Sequence, residues 1–332
     1  MSISATKERL EEGLLAFVWK EWSQLGIFAS PEGHSQWAQD IEALLLFTFE
    51  VARTDPRLFD EVLDWLVTNE HLVSVRRLRT LAKGSEDPSL AAAALEWLAQ
   101  HRPQARFSTS DDRPPPDTEQ RLFFGEEGFP LRHPDGAFAK HGWLRSAATR
   151  SQKSLPVDMR QPIAFGLRLR RLLGTGARAE VVRFLLCTDT PRATAAIITQ
   201  SAVYTKRNIQ EALYELGDAR VVTVASSGHE ARYGIDRTRW ATLLNHAGPF
   251  PSHVDWVQLL RALTKILRWL RTDATSHASE YLQASAARTL IEDVRQDLEW
   301  AGIAPGLSRT SADAVQELDR LVAQSLQVLD GK

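Results

Sequence analysis

Lys206 and Arg207 stand side by side at the head of a short helical pattern, and Gln210 and Tyr214 follow at helical spacing. These residue types recognise rather than react. Arginine offers a planar fork of donors that fits guanine, glutamine fits adenine, and lysine neutralises phosphate. Val203, Ile209, Leu213 and Leu216 form the core-facing stripe, so Thr205, Lys206, Arg207, Gln210 and Tyr214 are expected to point outward. Thr205 is also a suitable N-cap. Tyr204 and Thr205 lie at the positive end of the helix dipole, within expected reach of phosphates.

Bond-making chemistry has little support. The nine histidines show no metal-ligand spacing, and neither HExxH nor GxSxG occurs. Gly174-Thr175-Gly176 lacks the lysine and the length of a phosphate-binding loop. The carboxylates of LFDEVLDW (58–65) are spaced as helix-surface charges, and His229-Glu230 reads as a surface dipeptide. Cys187 is the single cysteine, so no intrachain disulfide exists. Its apolar neighbours predict a buried, inert thiol. No catalytic residue, cofactor or metal is expected, and the chain is not read as an enzyme.

The elements around the basic pair set its role. Residues 177–187, 191–200 and 205–216 read as helices, and 220–225 and 231–236 as strands around a polar tip. Three helices and a β-hairpin make the layout of a winged helix-turn-helix, whose third helix enters the major groove. The pattern 160–173 precedes it, with Arg168, Arg170 and Arg171 among its leucines. A second basic stretch, SVRRLRTL (74–81), reads as the solvated face of a bundle, with Arg76, Arg77 and Arg79 exposed.

At YTKRNIQEALYELGDARVV (204–222) and TVASSGHEARYGID (223–236) the sequence resembles winged-helix regulators of the ArsR/MarR type. The resemblance covers about 60 residues. It implies sequence-specific binding of double-stranded DNA by a bacterial-type transcriptional regulator. Helix 205–216 would be the recognition helix, and wing 225–232 would bring His229 and Arg232 to the backbone; Arg168, Arg170 and Arg171 would extend the basic surface. Homodimers suit the class, because two helices read two half-sites. One departure concerns Arg220, which stands where glycine usually precedes the apolar pair; the helix end is therefore expected to be displaced. The alternative is a protein-interaction scaffold, favoured by Glu211 and Glu215 on the same face.

Charge and composition frame these readings. The 332 residues carry a net charge of −2, so the chain as a whole does not call for a polyanion. Residues 1–100 hold 9 basic against 16 acidic side chains, whereas 101–240 hold 22 against 15. The excess can steer an anion to the middle of the chain. The expected organisation is mainly α: an acidic helical domain (1–100), a proline-rich linker and irregular segment (101–159), the winged helix (160–245) and a helical C-terminal region (246–332). In that last region Trp256, Leu259, Leu263, Ile266 and Leu270, widened by Leu260 and Leu267, require a cover. The cover is expected to be a second copy of the chain or the N-terminal helices. The acidic, amphipathic N-terminus and the lack of a long apolar run predict a cytoplasmic protein.

Overall fold

Side chains that satisfy orphan amides mark where the helices begin. Asp40, Asp55, Ser74 and Asp87 each accept a backbone N–H from the first turn they precede, and Pro56 and Pro88 fill first helical positions. The computed structural model describes residues 3–331 apart from 30–32, 86, 103–118, 127, 129, 132, 149, 228–229, 273–278 and 307–310. It is mainly helical with small sheets. Helices α1 (Ile3–Gln24), α2 (Ile41–Val51), α3 (Pro56–Asn69), α4 (Val75–Lys83) and α5 (Pro88–His101) come first. An irregular stretch follows, with β1 (Gln120–Arg121), α6 (Gly136–Ala139) and β2 (Trp143–Leu144). It lays Phe123, Phe138 and Trp143 into the core, while Phe124 stays partly exposed. Phe129 and most of the proline-rich stretch lie outside the described residues.

The chain ends in α12 (Trp256–Arg271), α13 (Glu280–Trp300) and α14 (Ser311–Asp330), which share one core with α1–α5. The broad stripe of α12 is covered within the chain by α1, α2 and α13. Leu259, Leu263, Ile266, Leu267 and Leu270 are fully buried there. Trp256 stacks on Phe17 at 5.8 Å and donates from Nε1 to the Ala38 carbonyl at 3.1 Å. Of the two expected covers, the N-terminal helices are the one seen, so the expected homodimer rests on the half-site argument alone.

A second core joins α7 (Phe165–Leu173), α8 (Ala177–Cys187), α9 (Ala195–Ala202), α10 (Lys206–Asp218) and α11 (Arg237–Leu244). Strands β3 (Ala193–Thr194), β4 (Thr223–Ser227) and β5 (Glu230–Gly234) form an antiparallel sheet in the order β3-β5-β4. The helix expected at 191–200 starts later, because Ala193 and Thr194 pair with Tyr233 and Arg232 before Thr194 caps α9. Helix α10 runs two residues beyond the expected end. Arg220 then takes the left-handed turn itself, at φ 58°. The amides of Val221 and Val222 both donate to the Leu216 carbonyl at 3.1 Å.

The two cores meet across buried charge. Arg77 of α4, expected on an exposed face, is 2% exposed and forms a bidentate pair with Asp40 at 2.6 and 2.7 Å. Arg170 of α7 grips both oxygens of Glu42 at 2.7 Å and reaches Glu180 of α8 at 2.9 Å. Arg183 binds the other oxygen of Glu180 at 2.9 Å. Three arginines and three carboxylates thus balance in a site cut off from water. Burial alone would raise the Asp40 and Glu180 carboxyls; the neighbouring arginines outweigh it and hold both below their ordinary values.

Removing one partner from such a site is costlier than the site is stabilising. Arg170→Ala is expected to lower unfolding free energy by about 3–5 kcal/mol. A folded-state carboxyl held below its unfolded value contributes stability that is complete above about pH 5 and is lost as pH falls through the folded value. Denaturation of the parent should therefore show a steep acid loss, and Arg170→Ala a shallower one from a lower start. Equal slopes for the two proteins would contradict this account of the junction.

Candidate nucleic-acid interface

Helix α10 is positioned by what it buries. Ile209, Ala212, Leu213 and Leu216 enter the second core against α8 and α9. Their spacing turns Lys206, Arg207, Gln210 and Tyr214 to the opposite side, where all four are exposed. Thr205 caps the helix by accepting the Asn208 amide, and its hydroxyl donates to the Asn208 side chain at 2.6 Å. The turn before it passes through Val203 in the left-handed region, at φ 50°. That conformation is unfavourable for a β-branched residue and is held by its surroundings. Arg77 Nε fixes the adjacent Ala202 carbonyl at 3.0 Å, and Gln258 of α12 binds the Gln200 carbonyl at 3.1 Å.

The hairpin β4–β5 follows directly. Gly234 lies where β5 passes β3; a Cβ there would sit 3.1 Å from the Pro191 carbonyl oxygen and 3.2 Å from Thr223 Oγ1. Arg232 is exposed on β5, 3.8 Å from Glu230. His229 lies outside the described residues.

Charge along α10 is divided. Its first turns carry Lys206, Arg207 and Gln210; Glu211, Glu215 and Asp218 follow on the exposed side. Arg207 Nε donates to Glu211 at 2.8 Å, one turn on, and Arg178 of α8 lies 3.5 Å from Glu215. Both are exposed pairs, which hold side chains only weakly. Among the described residues, Lys206, Arg192 and Arg220 have no carboxylate within ion-pair distance. Arg192 and Arg220 were missed as candidates because the sequence alone ties neither to this surface. Sheet pairing of β3 brings Arg192 beside the hairpin, and the left-handed turn turns Arg220 outward.

The other expected contacts fall elsewhere. Arg170 belongs to the buried junction and cannot meet an external ligand. Arg168 donates to the Leu244 carbonyl at the end of α11. Arg171 is exposed but reaches His71 at 2.5 Å, on the first core. Tyr204 is half-buried over the Arg77 guanidinium, 5.7 Å from its ring centre, so it supports the turn. These four side chains do not extend the α10 face.

One cluster invites a catalytic reading. Ser201 Oγ lies 3.2 Å from His253 Nε2, and Asp255 Oδ1 lies 3.2 Å from the same nitrogen. A nucleophile-activating triad uses the two opposite ring nitrogens. Here Nδ1 is buried without a partner among the described residues and Ser201 is itself buried, so the geometry is that of a packed polar cluster. Among the described residues no group of three or more histidine, cysteine or acidic side chains could hold a metal, and no helix is long and apolar enough to cross a membrane. Comparison with family models, with curated proteins and with solved structures finds no match.

Cys187 ends α8 inside the second core, and burial pushes its thiol up to about 12. Labelling of native protein by a maleimide at pH 7 should therefore be slow, with a large acceleration in denaturant. Fast native labelling would mean that α8 is not packed as described.

Proposed function

We propose that residues 177–236 are a winged helix-turn-helix that binds double-stranded DNA in the manner of a bacterial-type transcriptional regulator. Helix α10 serves as the recognition helix and hairpin β4–β5 as the wing. The observation that carries this reading is the outer face of α10, whose first turns present Lys206, Arg207 and Gln210 together beyond the buried stripe. Recognition helices use their N-terminal residues on base edges. The acidic side chains follow toward the far end, which a groove-inserted helix can leave outside. Arg207 is free to exchange its exposed partner Glu211 for guanine, because a solvent-exposed pair holds it weakly.

A second reading is supported by a specific feature. Three arginines of this unit, Arg178, Arg207 and Arg232, and Arg239 just beyond it each face an acidic side chain, and Tyr214 of α10 and Val224 of the hairpin are exposed. A mixed-charge surface with apolar islands suits a protein partner.

Fluorescence titration of duplex DNA over a salt series separates the two. The parent should bind with an affinity that falls linearly on a log–log plot as salt rises. Lys206→Ala should weaken all sequences alike and reduce that slope by about one. Arg207→Ala should lose about ten- to a hundredfold on a selected site and relax preference there. Neither change touches the core, so melting curves should overlay. A parent without salt-sensitive binding hands the surface to the protein-partner reading.

A further inference from the structure

A cavity of about 170 Å³ opens on the first core, beside the α9–α10 turn. Its walls are Leu46 and Phe47 of α2, Leu81 of α4, Val257 and Leu260 of α12, and Val203. Cavities of about 150 Å³ lined by such side chains admit a benzene-sized ring. Val203 is the residue that matters most. It is the left-handed link between α9 and α10, and its side chain packs on the first core rather than the second. One wall of the cavity is thus the turn from which the proposed recognition helix departs.

The polar rim defines what can enter. Thr80, Ser85 and Thr264 line the cavity, and each hydroxyl already donates to a carbonyl three or four residues back, at Arg76, Ala82 and Leu260. Their remaining capacity is as acceptors. Arg261, the one cation among the described residues of the rim, is held by both oxygens of Asp297. An anionic guest would have to break that pair, and a cationic guest would meet no carboxylate among the described lining residues. We propose that this cavity binds a small, neutral, mainly apolar molecule carrying one hydroxyl or N–H donor, and that its occupancy sets the α9–α10 turn through Val203. The effect on DNA affinity rests on the function proposed above; the binding site does not.

The test uses the full chain and three ring-sized probes: cyclohexanol, methylcyclohexane and cyclohexanecarboxylate. Calorimetric titration should show cyclohexanol binding, methylcyclohexane binding about two- to tenfold more weakly for want of the donor, and no uptake of the carboxylate. Methyl NMR should show cyclohexanol shifting the resonances of Val203 and Leu260. The half-buried Thr264→Phe should fill the space and abolish binding while the protein stays folded; Thr80→Trp, at an exposed rim position, is the second blocking variant. Loss of cyclohexanol binding in either folded variant supports the site. Undiminished binding in both, equal binding of all three probes, or no binding by the parent overturns it. Binding without a Val203 shift overturns the link to the turn. A parent that takes up cyclohexanol but lacks salt-sensitive DNA affinity keeps the site and removes the DNA reading.

Discussion

Six buried charges at the junction of the two cores hold the rest of the molecule in register. Asp40 and Glu42 come from the first core, Arg170, Glu180 and Arg183 from the second, and Arg77 spans the boundary by binding Asp40 and the Ala202 carbonyl. Apolar packing alone is tolerant of small slides. A bidentate arginine–carboxylate pair in a dry interior is not, because each lost hydrogen bond leaves a charge that water cannot reach. The junction therefore fixes position more than it adds stability. Glu42 is the hub: it receives Arg77, both arms of Arg170 and the Ser74 amide, which also sets the start of α4.

This constraint reaches the candidate interface through one turn. Ala202 and Val203 lie between α9 and α10, and they touch the first core by a carbonyl on one side and a side chain on the other. Helix α10 is consequently oriented from behind, by groups that never meet its outer face. The strained conformation of Val203 is sustained there by Arg77, Gln258 and the walls of the apolar cavity. The proposed interface is thereby backed by the larger core, and the proposed occupancy of the cavity would act on it through this turn.

The sequence carried the helices well and the junction not at all. Caps and stripes are local signals, so α8, α10 and α12 emerge within a residue or two of their observed ends. The strand at Ala193–Thr194 was hidden because two residues have no period, and its pairing partner lies 38 positions away at Arg232. Arg77 and Arg170 look like any arginine on an amphipathic helix. What buries them is opposite charge from Asp40 and Glu42, and nothing in the spacing links Glu42 to Arg170. The broad face of α12 was legible as a face needing cover by the N-terminal helices or by a second copy, but the choice between them was not, since packing between distant segments leaves no periodic trace. At the candidate site, Lys206, Arg207, Gln210 and Tyr214 were found because a helical stripe identifies its own opposite side. Arg168, Arg170, Arg171 and Tyr204 were drawn in by charge or proximity alone, and the tertiary fold uses them elsewhere.

Chemical footprinting by mass spectrometry tests the central claim most directly, because it reads the exposed and the buried cations in one experiment. Native protein is treated with a lysine-acylating reagent and an arginine-specific dicarbonyl, with and without saturating duplex DNA. The account predicts that Lys206 and Arg207 react freely alone and are protected by DNA, that exposed Arg288 on α13 reacts equally in both, and that Arg77 and Arg170 react in neither. Modification of Lys206 and Arg207 unchanged by bound DNA, or ready modification of Arg77 and Arg170 in the native state, would contradict it.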